Sequence, residues 1–525
     1  MTNSDQPSPA AAGPSSSKSA ADSGQRTPSL LVSWLVIGVM VALILVAVVL
    51  FGGEMANGAL QVSMTLATLF ALGVAYYYGY RGSVISNAIQ SGVNGSIGTV
   101  FVVIAIGTVI GTLYLAGSVA AFIYYGAAII SPQFFFVTVF IIASALTIVL
   151  GSALTTVGAV GIAFVALASI ADVSQPITAA AAVSGAILGN KVARISDTAN
   201  LAVSTVGGDL TIVEHSRTVT RTAIPTAIIT AVLYLLLGLL GDSSTGSIDV
   251  EQVQSTISQS FNVSLWAFVP VLSIFVLSML RFSAFLSLTV SAIVAIVVAG
   301  FTQSDLIVSL ANDPSLSYVG AVAKVGIDTF ANGFALNSGV DQLDSLFSGG
   351  GVSSMLTTVW LILVAAAFGS VVASTGMLHQ IIAPVVAKCK GPTSLVLTTM
   401  LSSIGLNLAT ADPYTSIVLT GDSYRGEYKR QRIKPELLSA SMADSGTSIS
   451  YIIPWNLHGA LFAGTLGIAA TEWGPWTFFA YLTPVVSFVM VRFYFLRRSR
   501  LSTAGDAEKA YAGGPAVTTA SQQLA

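Results

Sequence analysis

The stretch VSWLVIGVMVALILVAVVLFG, residues 32 to 52, carries no charge and a single hydroxyl. As a helix rising 1.5 Å per residue it spans roughly 30 Å, the thickness of a bilayer's hydrocarbon core. SMLTTVWLILVAAAFGSVVAS, residues 354 to 374, has the same character. Neither alternates apolar and polar residues, as a strand of a transmembrane barrel must. Apolar runs of this kind recur from about residue 29 to residue 497.

Composition agrees: 54% of residues are hydrophobic and 8% charged, and the mean hydropathy is +0.82, against about 25% charged residues in a soluble domain. We therefore expect an all-α polytopic membrane protein with roughly 11 to 14 membrane segments, some of them broken. The first apolar run is too long for the core of a signal peptide, about 7 to 15 residues, and follows a polar tail, so it reads as a retained helix. The tail at residues 1–28, rich in Ser, Ala, Pro and Gly, and the C-terminal stretch 498–525 have too little apolar surface to fold and are expected to be disordered. Cys389, the single cysteine, excludes an intrachain disulfide and a cysteine metal cluster. A net charge of −2 gives no reason to expect a nucleic acid partner.

Positive charge in the loops reports the cytoplasmic side. Arg81, Arg217 with Arg221, Lys388 with Lys390, RGEYKRQRIK (425 to 434) and RRSR (497 to 500) mark that side. SSTGSIDVEQVQSTISQS (243 to 260) and TQSDLIVSLANDPS (302 to 315) hold acids and no Lys or Arg, and are placed outside. This predicts a protein of the cytoplasmic membrane with both termini inside. Residues 29–241 form a first transmembrane half, 242–262 an extracytoplasmic linker and 263–497 a second half.

Each half holds two polar interruptions. The first has GSALTTVG (151 to 158) and GNKVARISDTANL (189 to 201); the second has NLATADPYTS (407 to 416) and SMADSGTSISYIIPWNL (441 to 457). Pro176 precedes Asn200-Leu201 much as Pro435 precedes Asn456-Leu457, with the spacing off by three. Interrupted helices at matching positions in two halves point to a transporter's binding site, because they expose backbone groups near the midplane.

Between Gly82 and Asn190 the one charged side chain is Asp172, after which Lys191, Arg194 and Asp197 arrive together. At membrane depth such charges cost several kcal/mol each unless paired or hydrated. One reading makes Lys191 and Arg194 loop charges, with Ser196 or Asp197 capping the next helix. The other makes Asp197, Thr198 and Asn200 ligands to a hard cation, whose preference is for oxygen. The same logic covers Asp444, Ser445 and Thr447, and Asn407, Thr410 and Asp412. Asn190, Lys191, Arg194, Thr155, Thr156 and Asn456 form a secondary set around them.

Other polar residues have plainer readings. Lys324 and Asp328, four apart, are expected to form a structural ion pair. Asp341 and Asp344 read as loop carboxylates, and His215, His379 and His458 as loop or packing residues. Gly158 and Gly161 are close-packing devices.

No phosphate-binding loop occurs, so a pump driven by nucleotide hydrolysis within this chain is excluded. DSGTS (444 to 448) lacks the nucleophile elbow. An intramembrane aspartyl hydrolase would need Asp197 and Asp444 to share a proton. No cofactor is expected. A passive channel is a further possibility, and it could not accumulate solute against a gradient.

GNKVARISDTANLA (189 to 202) closely resembles GDKMSPLSDTTNLA, the signature of the NhaC family of Na⁺/H⁺ antiporters. LFSGGGVSSMLTTVWLILVAAAFG (346 to 369), NLATADPYTSIVLTGDSYRGEY (407 to 428) and ADSGTSISYIIPWNLHGA (443 to 460) resemble further family segments, in the same order. The resemblance implies an ion-transporter-type fold with two inverted repeats and broken or re-entrant helices, a homodimer in the lipid bilayer, and exchange of Na⁺ for H⁺ by alternating access, with Asp197 and Asp444 as the essential carboxylates. Some relatives couple these ions to organic acids such as malate and lactate, or move amino acids. Asn190 stands where the family has Asp, Ala193 and Arg194 replace Ser-Pro, and Gly349 replaces Arg. Arg194 beside a cation site favours a carboxylate-bearing solute, so a carrier of a small organic acid or amino acid is the alternative.

Overall fold

The computed structural model describes residues 25–52, 58–126, 131–240, 250–338, 344, 346–495 and 500–512. Asp341 and most of the two expected disordered tails lie outside these residues. Nearly all described segments are helical, apart from one antiparallel hairpin that pairs Phe334–Ala335 with Ser348–Gly349. Among the described residues eight helices are long and apolar enough to cross a membrane: Leu30–Phe51, Ala59–Tyr77, Gly82–Leu115, Ala153–Ile170, Ile212–Leu240, Ala284–Thr302, Gly351–Ser374 and Pro392–Thr410. A further apolar pair, Ala470–Trp476 and Phe478–Phe493, meets at a 46° bend, the geometry of a broken span or of a re-entrant loop. The chain is thus an all-α polytopic membrane protein. Together with the shorter apolar helices Phe135–Leu150, Leu265–Met279, Met377–Ala387 and Leu457–Leu466, the described residues hold apolar segments within the expected 11 to 14, several of them too short to cross.

Large apolar side chains point outward, including Leu31, Val49, Tyr77, Phe301 and Phe493, as the lipid solvent requires. Small residues line the interior, where they allow backbones to approach. In the Gln175–Val192 helix, Ala181, Gly185 and Gly189 form a stripe at four-residue spacing. Gly185 lies against the Phe140 carbonyl, and Gly189 against Thr147 and the Ser144 carbonyl. Any side chain there would push the neighbouring Phe135–Leu150 helix away. Gly158 and Gly161 pack likewise, against Ile106 and Leu466.

The four polar interruptions are four helix breaks, and they follow one register. Gly151 and Ala411 both end a helix in the left-handed conformation, with φ of 71° and 56°. The residues after them, Ser152 and Asp412, cap the next helix with their side chains. Across that break the Thr147 and Thr156 hydroxyls are 2.9 Å apart, and Asn407 Nδ2 donates to Ser416 Oγ at 2.8 Å. At the second break of each half, Asn190 Nδ2 donates to Thr198 Oγ1 at 3.3 Å, while Ser450 Oγ and His458 Nδ1 are 2.8 Å apart. Ser196 and Asn456 are the N-caps that follow. Every pair, from 147 and 407 to 198 and 458, differs by 260 positions. The sequence alignment of Asn200 with Asn456 is therefore corrected: Asn456 matches Ser196, because the equivalence lies in the capping position rather than in the residue type.

Three polar regions differ from expectation. Part of the linker is a helix, Val250–Ser260. The basic run 425 to 434 includes the end of an 18-residue helix, Pro413–Arg430, whose polar surface gives no hydropathy signal. Residues 500–512 of the expected C-terminal tail also adopt defined structure. They include a helix, Ala504–Ala510, capped reciprocally by Thr503 and Asp506. Tyr511 anchors it, with its hydroxyl donating to the Ile433 carbonyl at 2.8 Å and its carbonyl accepting from Arg425 at 2.8 Å.

Candidate ion-binding site

Three of the four breaks bring polar side chains into one buried region. Lys191 lies in the last turn of Gln175–Val192. Its ammonium does not pair with Asp197 nearby in sequence but with Asp444, on a five-residue π turn, Ala443–Thr447. Both side chains are almost fully buried, at 3% and 0% exposure. The other Asp444 oxygen accepts a 2.5 Å hydrogen bond from Ser487 Oγ. A π turn carries one residue more than an α turn and is frequent at functional sites. Here it packs against Pro392–Thr410, with Gly446 pressed on Ser403 and Asn407.

Beside the ion pair lies a neutral network. Asn190 Nδ2 donates to the Tyr451 hydroxyl at 3.1 Å as well as to Thr198, whose hydroxyl is 3.2 Å from that of Ser196. The Tyr451 ring stacks on His458, with centroids 4.2 Å apart. Asn456 Nδ2 donates to Asn407 Oδ1 at 3.3 Å and to its carbonyl at 3.2 Å, joining the two breaks of the second half. Two buried hydroxyl oxygens of this region, Ser403 Oγ and Thr447 Oγ1, have no hydrogen-bond partner among the described residues.

Several candidates occupy other places. Asp197 and Asn200 are exposed, and Asn200 donates to the Ser196 carbonyl at 2.9 Å. Asp197 is therefore not joined to Asp444, as a shared-proton hydrolase would require. Arg194 is exposed too and makes no ion pair among the described residues. The Asp412 carboxylate is taken up in capping: it accepts from Thr415 N at 2.8 Å, Thr415 Oγ1 at 2.5 Å and Tyr414 N at 3.3 Å. Thr410 Oγ1 donates to the Asp412 carbonyl at 3.0 Å, and Ser445 Oγ to the Ser441 carbonyl at 2.6 Å. Thr155 and Thr156 hold the first break, around Ser152.

The expected Lys324–Asp328 ion pair is not formed. Lys324 donates to the Ala311 carbonyl at 2.8 Å, and Asp328 accepts from Asn332 at 2.8 Å. His215 and His458 are buried within helices beside the site, as packing residues, and His215 Nδ1 is 2.9 Å from Ser439 Oγ. Sequence reasoning missed Ser403, Tyr451 and Ser487. Ser487 had no signal, being one hydroxyl in an apolar run, whereas Tyr451 sits inside a segment already singled out.

A buried carboxylate held by an ammonium and a hydroxyl, beside unpartnered oxygens on a broken helix, is chemistry for a small cation and a proton. A sequence profile of the Na⁺/H⁺ antiporter family matches residues 13–239 and 195–494, most of the chain. The chain belongs to the Na⁺/H⁺ antiporter family. This antiporter-family chain is 28% identical over 453 residues to the Na⁺/H⁺ antiporter NhaC of Alkalihalophilus pseudofirmus, covering 86% of this chain and 93% of that one. It is 28% identical over 431 residues to NhaC of Bacillus subtilis, covering 82% and 91%. It is equally 28% identical over 458 residues to the malate-2H⁺/Na⁺-lactate antiporter of Bacillus subtilis, covering 87% and 93%. The antiporter family thus includes relatives of both kinds expected from the sequence.

Proposed function

We propose that this protein exchanges Na⁺ for H⁺ across the cytoplasmic membrane by alternating access, with Asp444 as the carboxylate that Na⁺ takes and Lys191 as the group that carries the proton. The buried Lys191–Asp444 pair carries this reading. Leaving either charge alone in a dry interior costs several kcal/mol. A Na⁺ ion that takes the carboxylate must therefore displace the ammonium, which gives up its proton as it loses its partner. Cation and proton then exclude each other, which is what coupling requires. Ser403, Asn407 and Thr447 supply neutral oxygens of the kind that Na⁺ prefers. Asp197, exposed at the start of its helix, serves as an entry carboxylate for the cation.

The two halves, 29–241 and 263–497, act in this proposal as inverted repeats rocking around the four breaks, with both termini cytoplasmic and two copies forming a homodimer. The organic-solute alternative drew on relatives that move organic acids and on Arg194; the malate/lactate relative matches it, whereas the exposed Arg194 adds nothing to it.

The test uses purified protein in liposomes holding a pH-sensitive dye. Na⁺ pulses alone should move protons in the wild type and not in Asp444→Asn. A proton movement that requires added malate, lactate or an amino acid would overturn the reading.

A further inference from the structure

Away from the ion site, one cleft gathers positive charge from three separate parts of the chain. It has a volume of about 690 Å³ and is lined by Lys390, Gly391, Arg430, Gln431, Arg432 and Arg500 among others, with no Asp or Glu. Arg430 is neutralised by Glu427, to which it donates two hydrogen bonds of 2.8 and 2.7 Å. Lys390, Arg432 and Arg500 form no ion pair among the described residues.

The backbone fixes this convergence. Leu501 N donates to the Arg432 carbonyl at 2.8 Å, and Arg500 bridges Ile433 as a short antiparallel pair. Arg432 itself is held at a φ of 55°, a conformation rare for a side-chain-bearing residue. Lys390, Arg432 and Arg500 are all exposed, so the field of three cations in one cleft free of acids is open to an anion from outside the chain.

We propose that this cleft binds a phosphate group. Two guanidinium forks match the oxygens of a phosphate, and Lys390 adds a point charge. The Pro392–Thr410 helix begins at the cleft wall and adds the positive end of its dipole. The basic loops place this cleft on the cytoplasmic side, where the group comes either from an anionic lipid headgroup or from a soluble phosphate.

Thermal unfolding of the full-length protein in detergent tests this. Short-chain phosphatidylglycerol, short-chain phosphatidylcholine and inorganic phosphate are titrated separately, with chloride matching the ionic strength. Phosphatidylglycerol should raise the unfolding temperature saturably, and phosphatidylcholine should not. Arg432→Gln and Arg500→Gln should each raise the half-saturating concentration at least about 10-fold, the loss expected for one charged hydrogen bond. Lys390→Gln, which lies outside the 432–501 pairing, repeats the test without touching it. An effect of inorganic phosphate equal to that of the lipid identifies a soluble ligand, and an effect of the lipid alone identifies a headgroup. No saturable response, or a response unchanged in all three variants, would overturn the proposal.

Discussion

Lys191 and Asp444 are joined in a buried ion pair although they lie in different halves of the chain. Each sits at a helix irregularity: Lys191 in the last turn before a break, Asp444 on a π turn. Removing one member leaves the other buried and uncompensated, at a cost of about 3–5 kcal/mol, whereas replacing both with apolar residues is often neutral. Lys191→Met and Asp444→Leu should each lower the unfolding temperature, and the double variant should regain most of the loss. None of the three should transport. Single variants as stable as the parent would mean that the pair contributes nothing to the fold.

Asp412 tests whether a carboxylate in the signature region binds ions or holds structure. Its oxygens cap the Pro413–Arg430 helix. Asn caps about as well as Asp, and Ala costs about 1 kcal/mol. Asp412→Asn should keep both transport and stability, while Asp412→Ala should lose stability first. Loss of Na⁺ response in a stable Asp412→Asn protein would make this residue an ion ligand after all.

Ser445 and Thr447 separate in the same way. Ser445 Oγ is bonded to a backbone carbonyl, so Ser445→Ala should leave the Na⁺ dependence unchanged. The Thr447 hydroxyl is buried without a hydrogen-bond partner among the described residues. Thr447→Val removes a group that is costly to bury, by about 1–3 kcal/mol, so it should not destabilise the protein. It should nonetheless raise the Na⁺ concentration for half-maximal dye response, and an unchanged value would remove Thr447 from the ion site.

Asn190→Asp restores the family's carboxyl next to the Lys191–Asp444 pair. The neighbouring Thr198 and Tyr451 hydroxyls can turn to donate, so the fold should persist. With one more ionisable group near the site, the pH profile of transport should gain a second inflection. A profile superimposable on the parent's would show that position 190 stands outside the proton path.

Much of this was legible in the sequence. Lipid forces every backbone group into a helix, so the apolar runs announced the fold. The four breaks were legible too, because polar residues are rare enough in such a chain that each cluster stands out. Lys191 and Asp444 were both singled out, but their partnership was not, since pairing across 253 positions is a tertiary fact. Asp197 looked equivalent to Asp444 because sequence does not tell which face a residue takes at the start of a helix. Polar helices such as Pro413–Arg430 and Ala504–Ala510 were hidden because their stability comes from docking and caps rather than from an apolar period. Asn200 drew the repeat out of register because it repeats a letter, whereas the fold repeats a turn.

The π turn at Ala443–Thr447 sets a constraint of a different kind. A helix advances about 100° per residue, so an inserted or deleted residue there would swing all that follows by more than a quarter of a circle. Tyr451 would leave Asn190 and Asn456 would leave Asn407, while Asp444 stayed with Lys191. The number of residues in that stretch is therefore as binding as their chemistry, and single-residue insertions and deletions should be tolerated there less well than most substitutions.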